Sequence, residues 1–298
     1  MQKNNIFTYT ACPICNSQQL QLLLTVKDYT VSQKQFNIVK CKNCQFKITQ
    51  NIPTQESIGA YYESEDYISH TDTQKGLVNN LYHFARNYML KSKRKTIEKH
   101  VKSGNLLDIG CGTGYFLNEM KLANWNVMGL EVDEGAKQVC KNKFGIDAQN
   151  ISTLFDFTAN TFDVITMWHV LEHVHDLNGY IAQIKKILKP NGKVFIAVPN
   201  NDCYDANYYF VHWAAWDVPR HLYHFEPKTM EALLCKHGLK VEQKQWMPFD
   251  PFYISLLSEK YMGGNFQLVK GFWNGLISLV KAWFNVDKAS SVIYVVRQ

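Results

Sequence analysis

The sequence lacks any apolar run long enough to cross a bilayer. No stretch of about 18 consecutive apolar residues occurs, so the sequence predicts no membrane-spanning helix. The first residues, Met1 to Asn5, lead into no apolar signal region, and we therefore expect a cytoplasmic protein. Internal repeats and low-complexity segments are also missing, which argues against repeat architectures and disordered chains.

A strong excess of charge is missing as well. The 298 residues include 32 basic and 26 acidic side chains, and the net charge of +6 is small for this length. Such a balance suits an acidic small molecule or no charged partner at all. RNA recognition would favour a stronger basic stripe with aromatic side chains for stacking. We interpret the basic cluster Lys91–Lys95 as the solvated face of a predicted helix.

Cysteine, by contrast, is present in a definite pattern. Two Cys-x-x-Cys motifs, Cys12 with Cys15 and Cys41 with Cys44, are separated by 25 residues. Each motif places two thiolates on one side of a tight turn, and two such turns complete a tetrahedral site. In a chain expected to be cytosolic, this pattern favours structural zinc over disulfides. Four thiolates leave no open coordination position, so we expect the metal to stabilise the module and not to catalyse.

The segment Leu106–Leu117 is the most informative part of the chain. An apolar run ends at Asp108, and then Gly110, Gly112 and Gly114 stand at alternating positions before apolar residues resume with helical spacing. This pattern predicts a buried strand, a tight turn and the start of a helix. Glycine removes side chains where a backbone must lie against a ligand, and the N–H groups at the helix start favour a negatively charged or carboxylate group.

A second predicted strand, Trp125–Leu130, ends directly before Glu131, 17 residues beyond Gly114. An acidic side chain at this place can accept hydrogen bonds from both hydroxyls of a ribose. Asp133 is a competitor, but we prefer Glu131 because it follows the last apolar residue directly. The glycine pattern is neither the dinucleotide-binding Gly-x-Gly-x-x-Gly nor a Walker loop, since no Gly-Lys-Ser/Thr follows.

These two units together resemble the first motifs of class I S-adenosylmethionine-dependent methyltransferases. Three further segments are similar to parts of that family. Its fourth strand resembles Thr161–Met167, and the segment after that strand resembles Val170–Val174. The turn into its fifth strand resembles Lys189–Ile196. The resemblance covers residues 80–245 in outline. It implies an α/β fold with a Rossmann-like seven-stranded sheet and helices on both faces, and S-adenosylmethionine as the methyl donor.

The resemblance also implies where the donor binds. The residues it assigns lie at the ends of the first four strands: Asp108, Gly110, Cys111, Gly112, Gly114, Glu131, Asn150, Trp168 and His169. The family often places an Asp after its third strand to contact the adenine amino group. This chain reads Ala148-Gln149-Asn150-Ile151 there, so Asn150 or a backbone group must make that contact.

The chain divides into three predicted parts. Residues 1–50 form a zinc-ribbon-like module, residues 51–100 a helical linker or lid, and residues 101–298 the methyltransferase domain. Apolar helical segments in residues 252–286 form an insertion before the last strand. For its amphipathic part, Phe272–Phe284, we favour a lid packed on the sheet edge over a membrane surface or a dimer contact.

A histidine-rich segment, His169-x-x-Glu172-His173, follows the fourth predicted strand, at the edge where open parallel sheets bind ligands. Some quinone-precursor O-methyltransferases resemble this segment and hold a metal through Glu-x-x-Glu-His. In this chain the first position is His169, which leaves His169, Glu172 and His173 as ligands for a second metal. Packing and hydrogen bonding near the donor is the alternative role for Glu172 and His173.

A loop rich in aromatic residues, 200–225, follows the fifth predicted strand. Its segment Pro219–Phe225 resembles the Glu-His-x-x-Tyr-Phe segment of zinc-ribbon sugar C-methyltransferases, in which the His aids proton transfer. His221 falls on that His, whereas Arg220 replaces the Glu. We expect His221 to be the general base, Arg220 to meet an anionic group of the substrate, and His173 to assist catalysis. A loop held together by polar contacts alone is the alternative.

The sequence therefore favours an enzyme that transfers a methyl group to oxygen, carbon or nitrogen of a small molecule, with a sugar or sugar nucleotide as the favoured acceptor. Two alternatives stay open: a ribosomal RNA methyltransferase whose zinc ribbon contacts RNA, and a donor-binding module that has lost catalysis. The intact glycines and Glu131 argue against the second alternative, because such a module need not keep donor contacts. A dimer is compatible with the apolar insertion.

Overall fold

The structure, a computed structural model, describes residues 5–62 and 77–298, with only the backbone of 77–84. In chain order its strands are β1 (Ile6–Phe7), β2 (Leu20–Lys27), β3 (Gln35–Cys41), β4 (Lys47–Gln50), β5 (Ile52–Pro53), β6 (Asn105–Ile109), β7 (Asn126–Glu131), β8 (Gln149–Asn150), β9 (Phe162–Trp168), β10 (Leu188–Pro199), β11 (Tyr223–His224), β12 (Lys240–Trp246) and β13 (Ser291–Arg297). Its α-helices are α1 (Leu77–Glu98), α2 (Tyr115–Leu122), α3 (Glu134–Phe144), α4 (Leu177–Ile187), α5 (Tyr204–Tyr209), α6 (Pro227–Lys236), α7 (Asp250–Met262) and α8 (Gln267–Phe284).

The central sheet has seven strands in the order β12-β13-β10-β9-β6-β7-β8. Strands β6 to β10 pair in parallel, and β13 runs antiparallel to both β10 and β12. The chain runs outward from β6 to β8 and then returns to place β9 on the other side of β6. Ligands bind open sheets at such a switch point, outside the carboxyl ends of the strands. The predicted Rossmann-like seven-stranded sheet is confirmed.

The strand sequences explain why helices cover both faces of this sheet. Side chains alternate between the two faces of a strand. On β6, Leu107 belongs to one apolar cluster and Leu106 to another, and on β9 Ile165 and Val164 divide in the same way. All four side chains are fully buried. The continuous apolar runs of these strands are therefore the sequence signal of a sheet buried on both faces.

The sheet of the N-terminal module is completed by β11, a strand from the aromatic loop. Strands β2, β3 and β4 form an antiparallel meander, and the fourth strand of this sheet is β11, in which His224 pairs with Lys47. The backbone N–H of Thr49 also donates to the carbonyl oxygen of Leu222 at 2.9 Å. The aromatic loop is thus held by main-chain hydrogen bonds to the module. Strand β1 pairs with β5, so the strand pairing of the module continues to Pro53, past the predicted boundary at residue 50.

The predicted insertion between the last two strands forms an antiparallel pair of helices, α7 and α8. A Cβ added to Gly271 would lie 2.8 Å from the Cα of Leu256, and one added to Gly275 would lie 2.8 Å from the Cα of Phe252. These glycines therefore let the two helix backbones approach closely. Most of the large apolar side chains of Phe272–Phe284 are exposed, whereas Leu276 and Leu279 are half-buried. The packing of this segment on the sheet edge stays a prediction. Among the described residues, no helix is both long and apolar enough to span a membrane.

Arg220 joins the module to the aromatic loop from a buried position. Its Nε donates to Asp217 at 3.0 Å, its Nη1 to the carbonyl oxygen of Tyr61 at 2.9 Å, and its Nη2 to Asp28 at 3.2 Å and to Thr30 Oγ1 at 2.9 Å. Burial opposes the charged form, but the two carboxylates outweigh burial and raise the pKa of Arg220 above its ordinary value. One guanidinium therefore fixes three separate segments relative to one another.

Replacing Arg220 by Met should lower the free energy of unfolding by roughly 3 kcal/mol, because it leaves buried carboxylates without their counter-charge. Urea denaturation followed by circular dichroism measures this loss. The matched control is Arg94→Met, which removes a half-exposed ion pair with Glu119 (2.9 Å) and should cost at most about 1 kcal/mol. Equal losses in the two variants would contradict the role assigned to Arg220.

Candidate active site

Three glycines shape the turn between β6 and α2. Gly110, Gly112 and Gly114 have left-handed φ values of 72°, 52° and 81°. A Cβ on Gly110 would overlap the side chain of Val170, and one on Gly114 would overlap that of Cys140. A Cβ on Gly112 would meet no atom within 4 Å. Two glycines thus let the turn close against the protein, while Gly112 faces open space in which a ligand can lie against the backbone.

Glu131 ends β7 and closes the same turn. Its Oε2 accepts a hydrogen bond from the N–H of Gly112 at 2.7 Å, and its Oε1 accepts from those of Val132 and Asp133 at 2.8 and 3.0 Å. A carboxylate offers about four lone-pair sites, so the chain itself uses most of them. A ribose diol can bind Glu131 only by sharing or replacing one of these bonds. The competitor Asp133 instead caps α3 by accepting from the N–H of Ala136.

Asp108 lies buried at the end of β6, beneath this turn. It accepts a hydrogen bond from Thr166 Oγ1 at 2.6 Å. Burial raises the pKa of Asp108 to about 7, although the Thr166 bond and the positive charge of Lys93 act in the opposite direction. The Lys93 Nζ lies 4.3 Å from the ring centroid of Trp168. The amino group of Lys93 on α1 therefore stands beside the turn, where burial lowers its pKa, whereas the sequence placed Lys93 on a solvated face.

Trp168 and Asn150 lie at the same edge of the sheet. Trp168 ends β9 and packs edge to face against Phe116, and its buried indole N–H has no hydrogen-bond partner. Asn150 ends β8 beside Glu131, and its Oδ1 accepts from the N–H of Ser152 at 3.1 Å. Both predicted donor residues are thus brought next to the turn, and the indole N–H is available to a ligand acceptor.

Cys111 contributes to the turn through its backbone. Its side chain is buried against β7, since a Cβ on Gly129 would lie 2.6 Å from the Cys111 Sγ. Burial raises the pKa of the Cys111 thiol, so the sulfur is an uncharged packing group. Its N–H donates to the carbonyl oxygen of Leu130 at 3.0 Å, which ties the turn to the neighbouring strand.

His169 links the segment after β9 to α7. Its Nδ1 lies 3.3 Å from Glu172 Oε1, and its Nε2 lies 3.1 Å from Asp250 Oδ2. Burial disfavours the imidazolium, but the hydrogen bonds to Asp250 and Glu172 outweigh burial and raise the pKa of His169 to about 10. A protonated imidazole donates from both nitrogens and cannot ligate a metal. His169 is therefore not available to the metal set that the sequence predicted.

Glu172, His173 and His221 come together instead, and we call them the carboxylate–histidine cluster. One ligand atom of each residue lies within 4.8 Å of the other two. Glu172 is fully buried, and no described residue makes a hydrogen bond to its Oε2. The rings of His173 and His221 meet edge to face with their centroids 4.6 Å apart. The turn that carries Glu172 directly follows Val170, which packs on Gly110, so the cluster adjoins the glycine turn.

Backbone carbonyl groups fix the tautomers of both histidines. The Nδ1 of His221 lies 2.8 Å from the carbonyl oxygen of Ala215, and the Nδ1 of His173 lies 3.0 Å from that of Arg220 and 2.9 Å from the hydroxyl oxygen of Tyr62. A carbonyl oxygen only accepts, so each Nδ1 carries a proton, and a neutral ring then has its lone pair on Nε2. Burial lowers the pKa of His173 to about 4, and the charge of His221 acts in the same direction, so His173 is neutral near pH 7.

The cluster therefore combines the Nε2 atoms of two imidazoles with a carboxylate oxygen that has no partner among the described residues. A buried polar group without a partner is destabilising, and a native structure normally supplies one. Burial opposes ionisation of Glu172, but the hydrogen bond and charge of His169 outweigh burial and lower the pKa of Glu172. A hydroxyl group that donates its proton, or a divalent cation, would satisfy this arrangement.

Arg220 is not brought to the cleft with its charge free. Its side chain is 1% exposed, and its guanidinium donates to Asp217, Asp28, Thr30 and the backbone of Tyr61. The structure thus does not support the predicted contact with an anionic group of the substrate. The backbone carbonyl of Arg220, rather than its side chain, contributes to the site by fixing His173.

The four cysteines of the N-terminal motifs converge. The Sγ of Cys12 lies 3.4 Å from that of Cys44, the Sγ of Cys15 lies 3.5 Å from that of Cys41, and all four fall within 4.8 Å of one another. Four thiolates bound at about 2.3 Å to one tetrahedral zinc ion stand about 3.8 Å apart. The donor set and its spacing therefore fit such an ion.

Sequence reasoning missed three residues that shape the site. Lys93 lies four residues after Met89 and four before Ile97, both on the apolar side of α1, so helical spacing could have placed it on the inner face. Asp250, which holds His169, and Thr49, whose Oγ1 donates to the carbonyl oxygen of His221 at 2.7 Å, lie far from their partners in sequence. No local pattern points to either contact.

Comparison with known families supports the donor fold. The profile of a family described as "Methyltransferase domain" matches residues 81–244, which is more than half of the chain. The human mitochondrial ubiquinone biosynthesis O-methyltransferase is 30% identical over 179 residues, which cover 53% of this chain and 48% of that protein. The ubiquinone biosynthesis O-methyltransferase of Pelagibacter ubique is 34% identical over 113 residues, covering 36% and 47%. The chain thus spans about half the length of these curated relatives.

A solved structure with the same fold is the 1,6-didemethyltoxoflavin-N1-methyltransferase of Burkholderia thailandensis, with bound 1,6-didemethyltoxoflavin and S-adenosylhomocysteine. Its TM-score is 0.50 at 14% sequence identity, and the match covers 86% of this chain and 97% of that one. At this identity the likeness shows the fold alone.

Replacing Gly112 by Val should lower the affinity for S-adenosylmethionine at least roughly tenfold, or about 1.4 kcal/mol, because the side chain enters the open space above the turn. Isothermal titration calorimetry measures this loss. The matched control is Gly145→Val, at a left-handed φ of 61° with no atom within 4 Å of the added Cβ, at the end of α3 away from the turn. The control carries the same backbone strain, so equal donor affinity in the two variants would contradict the assignment of Gly112.

Proposed function

The chain belongs to the S-adenosylmethionine-dependent methyltransferases, and from that premise we propose that it methylates an oxygen atom of a small molecule with His221 as the general base. The observation that carries this proposal is the carboxylate–histidine cluster beside the glycine turn. Among the described residues, the Oε2 of Glu172 has no hydrogen-bond partner, and an acceptor hydroxyl provides one.

The donor carries its methyl group on a sulfonium centre, and the thioether that remains after transfer is an excellent leaving group. The protein therefore needs only to align the reactants, exclude water and remove one proton. Gly112 leaves room against the backbone, Glu131 offers a carboxylate to the ribose, and the buried Asp108 lies beneath the turn, within the influence of the charge of Lys93. These groups bind and orient the donor, and the carboxylate–histidine cluster removes the proton of the acceptor.

His221 is the member of the cluster best placed to take the proton. Its Nδ1–H is held by the carbonyl oxygen of Ala215, so its Nε2 presents the lone pair. Asp217 Oδ2 lies 3.9 Å from that Nε2. Burial opposes ionisation of Asp217, but the charge of Arg220 outweighs burial and lowers the pKa of this carboxyl. An ionised Asp217 stabilises the imidazolium that forms when His221 accepts a proton.

The relatives suggest the acceptor atom. Both curated relatives are named O-methyltransferases, and this analogy supports a hydroxyl acceptor. We keep a sugar or sugar-nucleotide hydroxyl as the first candidate, because the Pro219–Phe225 segment resembles the sugar-methylating enzymes. A hydroxyl of a quinone precursor is the second candidate, after the relatives' names. Release of S-adenosylhomocysteine with members of each class distinguishes the two. Ribosomal RNA as acceptor, a cytoplasmic location and a dimeric state remain predictions from the sequence.

A metal-assisted reaction is a second candidate, favoured by the unpartnered Oε2 of Glu172. Two neutral imidazoles and one carboxylate are a common ligand set for Zn²⁺, Mn²⁺ or Fe²⁺ with open positions. A bound ion would lower the pKa of the acceptor hydroxyl as a Lewis acid. Metal analysis of the purified protein separates the candidates, because an ion in the cluster would be lost in Glu172→Gln while the cysteine site kept its own.

We further propose that Cys12, Cys15, Cys41 and Cys44 hold a structural zinc ion. Their spacing fits one ion, and Cys44 stands three residues before β4, the strand that pairs with β11. Zinc would therefore hold β4 in place and, through Thr49, the backbone of His221. The metal would act on the geometry of the base and not on the reaction itself.

Replacing His221 by Gln should lower kcat by a factor of roughly 10²–10⁴, the usual contribution of a general base, and leave donor affinity unchanged. Steady-state kinetics and calorimetry measure the two quantities. The control His237→Gln changes a histidine that contacts Asn178 on the other side of the fold and should retain full turnover. Near-full turnover in His221→Gln would show that another group removes the proton.

Replacing Cys41 by Ser should release zinc, lower the thermal midpoint and lower kcat more than it weakens donor binding, because Thr49 of the module holds the backbone of His221. Elemental analysis, differential scanning calorimetry and donor titration test these effects together. The exposed Cys235 supplies the control, Cys235→Ser, which should retain the metal and the activity. Loss of zinc from Cys41→Ser with an unchanged kcat would contradict the link between the module and His221.

A further inference from the structure

Helix α8 buries small and polar side chains and exposes large apolar ones, the reverse of the usual arrangement. The side chains of α8 that are buried are small or polar, namely Gly271, Asn274, Gly275, Ser278 and Ala282. In α7 the buried set includes Ser255, Ser258 and Glu259. A surface helix of a water-soluble domain normally buries its large apolar side chains and exposes its polar ones.

Hydrogen bonds inside the pair explain how a polar interior is tolerated. Glu259 Oε1 accepts from the hydroxyl of Tyr209 at 3.1 Å and from the Nδ2 of Asn274 at 3.3 Å. Ser278 donates to Asp205 Oδ1 at 2.6 Å. These bonds hold α7 and α8 to α5, and Ile254 of α7 also packs with Ala206 and Tyr209 of α5 in one apolar cluster. The orientation of α8 is therefore specified by its polar side.

The opposite side of α8 exposes a continuous apolar surface, which we call the hairpin face. Its largest members are Leu268 (77% exposed), Phe272 (52%), Trp273 (56%), Trp283 (75%) and Phe284 (86%). Single exposed apolar residues are common, but a contiguous patch of this kind marks an interaction site. The patch extends along the whole helix, from its first turn to its last.

The charges around the hairpin face have one sign. Lys260, Lys270 and Lys281 are exposed on α7 and α8. The two acidic residues of these helices are turned inward, since Asp250 bonds His169 and Glu259 is 3% exposed. An apolar surface bordered by ammonium groups, with tryptophan among its exposed members, complements a layer of lipid with anionic head groups.

We propose that the hairpin face docks on a bilayer surface that contains anionic lipids. The helix α8 would lie in the plane of the membrane interface with its apolar side chains below the head groups. This geometry agrees with the finding that no described helix can span a bilayer. The close glycine contacts of Gly271 and Gly275 with α7 also resemble the packing of helices in lipid, where small residues bring backbones together.

Charge argues against a second copy of the chain as the partner of the hairpin face. In a two-fold dimer the same patch faces itself. Lys270 and Lys281 would then approach their own copies, and neither α7 nor α8 exposes a carboxylate to pair with them. Like charges brought together in this way oppose association, whereas anionic head groups favour it.

Docking would place the membrane next to the active site. The first residue of α7, Asp250, holds His169, and Tyr261 near its other end stacks on Tyr29 of the module at 4.4 Å between centroids. A cleft of about 430 Å³ opens at the end of α8, lined by Lys281 and Phe284 and by the ion pair of Lys288 with Asp202 (2.7 Å).

The test is co-sedimentation of the full chain with vesicles of phosphatidylcholine alone and of phosphatidylcholine mixed with phosphatidylglycerol. We expect binding to the mixed vesicles that falls as salt is added. The double variant Trp283→Glu/Phe284→Glu should bind roughly tenfold more weakly or worse, since each buried aromatic side chain contributes strongly to insertion. Lys270→Glu/Lys281→Glu should remove the preference for anionic lipid.

The matched control is Leu122→Glu, which makes the same kind of change at an apolar residue that is 74% exposed outside the hairpin. Unchanged thermal midpoints and donor affinities show that the variants fold. The proposal is overturned if the full chain binds neither vesicle, or if the Trp283/Phe284 variant binds as well as the control. It is equally overturned if vesicles do not bind and sedimentation velocity shows a dimer that the same variant dissociates, because the hairpin face then belongs to a second copy.

Discussion

The pairing of β4 with β11 is the constraint on which the geometry of the site depends. The Oγ1 of Thr49 bonds both the carbonyl oxygen of His221 and the Nε2 of His224, at 2.7 and 2.9 Å, and its N–H bonds Leu222. Between α5 and β11 the aromatic loop contains only two single turns of 3₁₀ helix, so these bonds define where His221 stands. A module that looks like an appendage in the sequence is therefore one wall of the active site.

Ion pairs hold the other residues around the active site in place. Arg220 neutralises Asp217 and Asp28, and His169 stands between Glu172 and Asp250, so ion pairs connect the module, the loop and α7. These groups are held by protein partners and cannot move to meet a substrate. Among the described residues, they leave one oxygen of Glu172 without a partner, beside the imidazoles of His173 and His221. A rigid charged frame around a small unsatisfied centre is the arrangement expected of a preorganised site.

Sequence patterns predicted the features that occupy a few consecutive residues. The strand, glycine turn and helix around Gly112, the carboxylate of Glu131 and the two cysteine motifs each occupy a few consecutive residues, and their chemistry follows from spacing. The partners of Arg220 could not be predicted, because Asp28 and Tyr61 lie more than a hundred residues away. The apolar period of α8 was visible, but periodicity identifies an apolar face without saying what covers it. Only the buried Asn274 and Ser278 show that this face points outward.

The β4–β11 pairing also has a consequence for how the protein is made. The two strands are about 175 residues apart, so at a synthesis rate of about 5–20 residues per second the ribosome completes β4 roughly ten seconds or more before its partner exists. During that interval β4 is an open sheet edge, and open edges recruit strands from other chains. A nascent chain thus passes through a stage in which aggregation competes with folding, and early metal capture by the four thiolates would shorten the segment exposed to that competition.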